Sequence, residues 1–336
     1  MREESERSRL TPALLTRPAP HAVREVARGL LDDMLAAHAR FEDDEADALH
    51  DLRVAMRRLR SWLRAFRPEL SDTVRGRTRR HLRAVAAATG EARDAEVALA
   101  FLERQTHLPT RARPTVRVVV GQLEQERDDH VRDLRRTLAR DVGKAARELT
   151  RQLESYWERH RLDEPATVQP MSAAFVDATR HHVRQIESAM ARIESPGKAE
   201  HVHRARIAAK RLRYLLEPLG ETWGADEPVR QLKELQRQLG DTRDAQRIAM
   251  RFVREVGKSA ARDARGRALA SAGLTPEDDP KPGGVLVSRS GLTELARRAH
   301  AARETAFSDF VARWGDGKVA LLVERIDVVV ARVAAG

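Results

Sequence analysis

The stretch HDLRVAMRRLRSWLRAFR, residues 50–67, leaves little choice of conformation. An α-helix turns by about 100° per residue, so residues three, four and seven apart share a face. His50, Arg53, Arg57, Arg60, Arg64 and Arg67 follow that spacing and make one cationic stripe. Leu52, Ala55, Met56, Leu59, Trp62, Leu63 and Phe66 fall together on an adjoining face, which must find a neighbour to cover it. The segment therefore demands a helical partner on one side and leaves guanidinium groups on the other.

The pattern recurs in the second half of the chain. His203, Arg206, Ala208, Arg211, Leu212, Arg213 and Leu216 match His50, Arg53, Ala55, Arg58, Leu59, Arg60 and Leu63, with Lys210 where Arg57 stands. Each copy is followed by a second shared element: Gly90, Arg93, Asp94 and Ala95 reappear as Gly240, Arg243, Asp244 and Ala245. A motif that repeats in order is the mark of a tandem duplication. Arg83, Gly90 and Arg93 keep the spacing of Lys233, Gly240 and Arg243, so a continuous helix would set a glycine between two cations on one face. Two readings follow: the bare backbone lets an anion approach closely, or the glycine serves a kink or a helix–helix contact.

The remainder of the chain is also read as helix. Residues 1–18 form a lead, expected to be mobile and closed by Pro18 and Pro20. A helical stripe from Ala22 to Phe41 precedes the acidic turn EDDEAD, residues 42–47, which supplies negative charge where the next helix begins. The basic helix stops at Pro68, and a further helix starts near Ser71 and resumes past Gly90 to about His107. The apolar stripe from Val116 to Trp157 is long enough to suggest two helices with a break near Gly143. Residues 160–170, with Pro165 and Pro170, read as a linker. The second half repeats the plan: a helix from Ser172 to Ile193, a turn at Ser195–Gly197, and a basic helix stopped by Pro218. A long flexible loop at 275–291 follows, then two helices separated at Gly315 to Gly317, where Gly317-Lys318 echoes Gly143-Lys144. With no convincing βαβ unit, the predicted class is all-α, built from a helical bundle over 19–160 and another over 171–335.

A formal charge of +11 points to a polyanionic partner. Arginine far outnumbers lysine, which suits oxyanions because a planar fork binds two oxygens at once. The absence of cysteine excludes disulfides and thiolate metal sites. With no signal-like N-terminal run and no apolar stretch near about 18 residues, a soluble intracellular protein without a membrane span is expected.

Two copies of H-x-x-R-φ-x-x-[RK]-R-L-R, each followed by G-x-x-R-D-A, resemble the CHAD family, the conserved histidine α-helical domain. The likeness covers residues 19–335 as a single domain. It implies two pseudo-symmetric antiparallel four-helix bundles enclosing a basic central channel that binds inorganic polyphosphate, with some members on polyphosphate granules. The E-x-E-x-K motif of the triphosphatase domain fused to some relatives is not seen, so the stand-alone form is expected. Transferred by motif, the binding candidates are His50, Arg53, Arg57, Arg58, Arg60 and Arg64, then His203, Arg206, Lys210, Arg211 and Arg213. The second shared element adds Arg83, Arg93, Lys233 and Arg243. Glu217 stands where Arg64 does, so the two sides of the site differ at that edge.

Polyphosphate has about one charge per phosphate and neither bases nor an apolar face, and cations at i, i+3 and i+7 rise by about 5 and 10 Å along a helix. The motif histidines allow two roles, donation to a phosphate oxygen or a hydrogen bond to a neighbouring helix. Metal coordination is disfavoured, since neither has a second histidine at i+4. Asp94 and Asp244 are expected to orient cations rather than catalyse. No nucleophile with an adjacent base and no converging carboxylates stand out, so no enzyme, metal or cofactor is expected. Nucleic acid is the functional alternative, disfavoured by an aromatic content of only 4%. The bland alternative is a helical scaffold with a solvated basic face.

Overall fold

The structure, a computed structural model, describes residues 8–159, 168–193, 199–274, 288–315 and 317–336. Among these there is no strand, and the α-helices are α1 (Pro12–Leu15), α2 (Ala19–Glu42), α3 (Ala48–Ala65), α4 (Gly76–Glu103), α5 (Arg113–Arg159), α6 (Met171–Met190), α7 (Ala199–Leu216), α8 (Asp226–Ser271), α9 (Arg289–Trp314) and α10 (Lys318–Ala335). The chain is all-α, as its 3.6-residue periodicity requires.

Helix α3 shows how the sequence sets the packing. Leu52, Leu59, Trp62 and Phe66 are wholly buried, and covering each large apolar side chain is worth about 1.5–3 kcal/mol. The Trp62 indole donates to the Val23 carbonyl of α2 at 2.9 Å, so the polar edge of the ring is satisfied inside the core. The acidic turn before α3 places Asp44 and Asp47 at φ +56° and +60°, a left-handed conformation that aspartate tolerates better than most residues. The helix ends at Ala65, before Pro68, whose ring cannot continue it.

Helix α2 packs on α3, α3 on α4, α4 on α5, and α5 returns to α2. Short connections make such neighbours antiparallel. In the C-terminal group α6 packs on α7, α7 on α8 and α8 on α9, while α10 lies against α6, α8 and α9. The groups meet where α3 runs along α7 and α2 touches α6. One apolar core extends through both, and a smaller one, with Phe101, Leu123, Phe252 and Leu295, joins α4, α5, α8 and α9.

Several expectations are corrected. The lead is packed from Ser8 onward: Leu10, Leu14 and Leu15 are buried, Leu10 N–H donates to the Pro218 carbonyl at 2.8 Å, and Met171 N–H donates to the Arg17 carbonyl at 2.8 Å. Residues 1–7 lie outside the described residues, as do 160–167 of the expected linker and the expected turn at 195–197. No break occurs at Gly143; α5 continues for 47 residues, about 70 Å at 1.5 Å each, because one glycine costs a helix only about 1 kcal/mol. The break between α9 and α10 does form, with Gly317 at φ +79°. Helix α4 starts at Gly76 rather than near Ser71, after Arg75 in extended conformation donates its N–H to Gln152 Oε1 at 3.1 Å. The loop expected to reach Gly291 ends earlier, since α9 begins at Arg289 and Gly291 is pressed against Thr115; residues 275–287 lie outside the described residues.

Candidate anion-binding site

Where α3 runs along α7, the motif cations come within electrostatic reach of one another. Arg57 of α3 acts on Arg206 and Lys210 of α7, and Arg64 acts on Arg211. Helices α4 and α8 add to the field: Arg83 and Arg93 act on Arg60 and Arg53, and Arg243 acts on Lys210 and His203. Burial first, then Arg206, Arg57, Arg213 and Arg243, holds the Lys210 ammonium down to about 6. Burial, then Arg83, Arg64 and Arg57, lowers Arg60. Two unit charges 4 Å apart repel by about 4 kcal/mol at an effective dielectric constant of about 20, so such a gathering opposes folding unless an anion joins it.

Some of the candidates are neutralised within the protein. Arg53 is 6% exposed; its Nε donates to the Thr89 carbonyl of α4 at 2.9 Å and its Nη1 approaches Glu96 at 3.4 Å. Arg93 lies 3.8 Å from the same Glu96. Glu217 takes Arg58 at 2.8 Å and Arg213 at 3.2 Å, so the residue that departs from the repeat joins the two halves. Asp94 pairs with Arg247 of α8. Asp244 lies among Arg206, Arg93 and Arg243, and its carboxyl is nonetheless raised by burial. Asp94 is thus paired with an arginine of α8, and Asp244 lies in the field of three cluster arginines.

Arg57, Arg60, Arg64, Arg83 and Lys210 have no carboxylate in ion-pair contact among the described residues. The four arginines have charge to offer directly, and Lys210 offers it once an anion favours its ammonium form. Lys233 and His50 are exposed, on α8 and α3 respectively.

The second motif histidine has a definite task. Arg243 donates to His203 Nδ1, so the ring proton resides on Nε2 and is the one left for a ligand. Burial and then Arg243 lower the His203 imidazole, which keeps it neutral beside the guanidinium. The glycines have also diverged. Both helices run through, but a Cβ on Gly240 would meet Arg206 Nε at 3.3 Å, whereas nothing lies within 4 Å of one on Gly90. Gly240 makes room for a guanidinium, and only Gly90 retains the open backbone that close approach of an anion needs.

Arg247 escaped sequence reasoning, although it follows Arg243 by one helical turn on the same face of α8; that spacing was the available signal. Arg211 is lowered to about 10 by burial and Arg64, and it also lines a separate groove between α6 and α7. Among the described residues no group of three or more His, Asp or Glu is placed to hold a metal ion, and no helix is long and apolar enough to cross a membrane.

The model of the CHAD domain matches residues 25–252, more than half of the chain. The chain belongs to the CHAD family. Among solved structures, the CHAD domain from the plant Ricinus communis superposes with a TM-score of 0.59 at 17% identity, covering 96% of each chain. PptA from Streptomyces chartreusis gives 0.64 at 16% identity, covering 89% of this CHAD protein and 100% of the other chain. At these identities the likeness speaks for the fold. Among curated proteins none matches the sequence.

Proposed function

We propose that this CHAD protein binds inorganic polyphosphate, without turning it over, through the cations that α3, α4, α7 and α8 direct into a common basic channel. One observation carries the reading: Arg57 and Lys210, the same position of the two motif copies, share one electrostatic field with Arg206, Arg213 and Arg243, and neither has a carboxylate in ion-pair contact among the described residues. A polyanion relieves that repulsion, and each charge-assisted contact adds roughly 1.5–3 kcal/mol. Of the carboxylates nearest the cluster, Glu96, Glu217 and Asp94 are paired with arginines and Asp244 lies among Arg206, Arg93 and Arg243, which favours holding the anion over hydrolysing it. Family membership supports the same ligand, and a cytoplasmic or granule location belongs to this reading.

Calorimetric titration with polyphosphate of defined length at two salt concentrations tests it. Binding should weaken steeply with salt through counterion release. Combined Arg57→Glu and Lys210→Glu substitutions should weaken it at least about 100-fold, with helicity by circular dichroism unchanged. Unaltered affinity in that variant, single-stranded RNA outcompeting polyphosphate at equal charge, or release of orthophosphate that the variant abolishes would overturn the proposal.

A further inference from the structure

A second basic feature adjoins the central cluster and shares Arg211 with it. The groove between α6 and α7 has a volume of about 470 Å³, a size at which pockets hold small molecules. Arg184 and Arg192 enter from the α6 side, Arg204 and Arg211 from α7, and Ile207 and Ala208 contribute aliphatic surface between them. No carboxylate lines it, and Arg184, Arg192 and Arg211 have no acidic partner among the described residues. Arg204 reaches Glu200 at 3.1 Å, the single exposed ion pair at the rim.

Two histidines complete the wall, each oriented by a neighbour. His201 Nδ1–H donates to the Arg192 carbonyl at 2.7 Å, which in the neutral ring leaves Nε2 as an acceptor. His181 Nε2 accepts from the Gln185 amide at 2.9 Å, and its ring stands edge-on to His182 at 5.5 Å. The groove therefore combines four guanidinium groups, an aliphatic patch, a flat imidazole and a hydrogen-bond acceptor. A bare phosphate chain would use only the first of these. A heterocycle joined to several phosphates would use all of them, with the base against Ile207 and the imidazole and the phosphates on the arginines.

We propose that the α6–α7 groove is a second ligand site, which adjoins the central cluster at Arg211, and that it takes a nucleoside triphosphate. The test is titration of the full chain with ATP and, separately, with inorganic tripolyphosphate of similar charge, in the parent protein and two variants. ATP should bind at least about tenfold tighter than tripolyphosphate, because only ATP engages the aliphatic patch. Arg192→Glu with Arg204→Glu, both on exposed positions, should weaken ATP at least about tenfold and change binding of long-chain polyphosphate less than about twofold. Arg57→Glu with Lys210→Glu should show the reverse pattern. ATP binding no tighter than tripolyphosphate overturns the proposal, as does ATP binding that survives the groove variant and is lost in the central one. Either result would leave the polyphosphate reading intact, which fails only on its own titration.

Discussion

In α3, Arg53 is buried with Nε on the Thr89 carbonyl and Nη1 toward Glu96; in α7, its motif counterpart Arg206 lies against Gly240, and its Nε has no hydrogen-bond partner. One position down the stripe, α3 offers Arg57 and α7 offers Lys210, whose titration falls to about 6. At the far end, Arg64 of α3 is exposed and Glu217, the residue after α7, binds Arg58 and Arg213. The same motif has taken on different duties: the N-terminal copy uses its first arginine to join helices through direct contacts, whereas in the C-terminal copy Arg206 is balanced by Asp244 without an ion-pair contact and Lys210 has no carboxylate in contact among the described residues. A repeated pattern therefore identifies a shared surface, while neighbouring helices determine which of its charges remain available.

The largest effect separates the two arginines. Arg53→Ala removes a buried charged hydrogen bond and leaves the Thr89 carbonyl and Glu96 unmatched, so urea denaturation should show a loss of about 2–3 kcal/mol. Arg206→Ala removes a buried cation whose Nε has no hydrogen-bond partner but also its attraction to Asp244, two effects of opposite sign, so it should destabilise less than Arg53→Ala while weakening polyphosphate binding. Equal destabilisation by the two would erase the distinction.

Lys210 gives the next effect. Its folded titration, about 6, lies below the value of 10.5 for an unperturbed lysine, so between those values the unfolded chain binds more protons. Its contribution therefore makes stability rise with pH from about 6 to about 10.5, with the full penalty present below about 6. Polyphosphate acts in the opposite sense by favouring the ammonium. Binding near pH 7 should take up a proton, and affinity should fall by up to tenfold per pH unit above about 6. Calorimetry in two buffers of different ionisation enthalpy measures that uptake, and Lys210→Arg, which copies position 57, should remove it. No uptake in the parent protein would mean that Lys210 is already charged in the empty site.

The smallest effect concerns the paired glycines. Gly90→Ala enters open space and should stabilise the protein by about 0.5–1 kcal/mol in thermal denaturation, as alanine does in a helix interior. Gly240→Ala should gain less, because its Cβ must displace Arg206, and should weaken polyphosphate binding more than Gly90→Ala does. Identical shifts in both variants would remove the asymmetry between α4 and α8.

Much of the fold was legible because amphipathic periodicity is a local property. The buried face of α3, from Leu52 to Phe66, lies where its spacing placed it, and the break between α9 and α10 follows from two nearby glycines. Where packing outweighed local preference, the reading failed. Gly143 carries the same Gly-Lys pair as Gly317, yet α5 continues through it; Leu10, Leu14 and Leu15 anchor a segment whose prolines suggested a loose lead. Of the candidate site, the sequence shows which cations share a helix face but not which of them meet an acid from another helix.

By itself, then, the sequence determined the helical class, the two motif copies and the positive charge along one stripe of each, because all three depend on residues within a few turns of one another. Tertiary structure alone decided that Arg53, Arg58 and Arg213 are held by Thr89, Glu96 and Glu217, that Lys210 is enclosed by like charges, and that Arg211 also faces a second groove. The physical reason is distance: Coulomb energy and burial depend on separations through space between helices far apart in the chain, and periodicity along one helix carries no information about them.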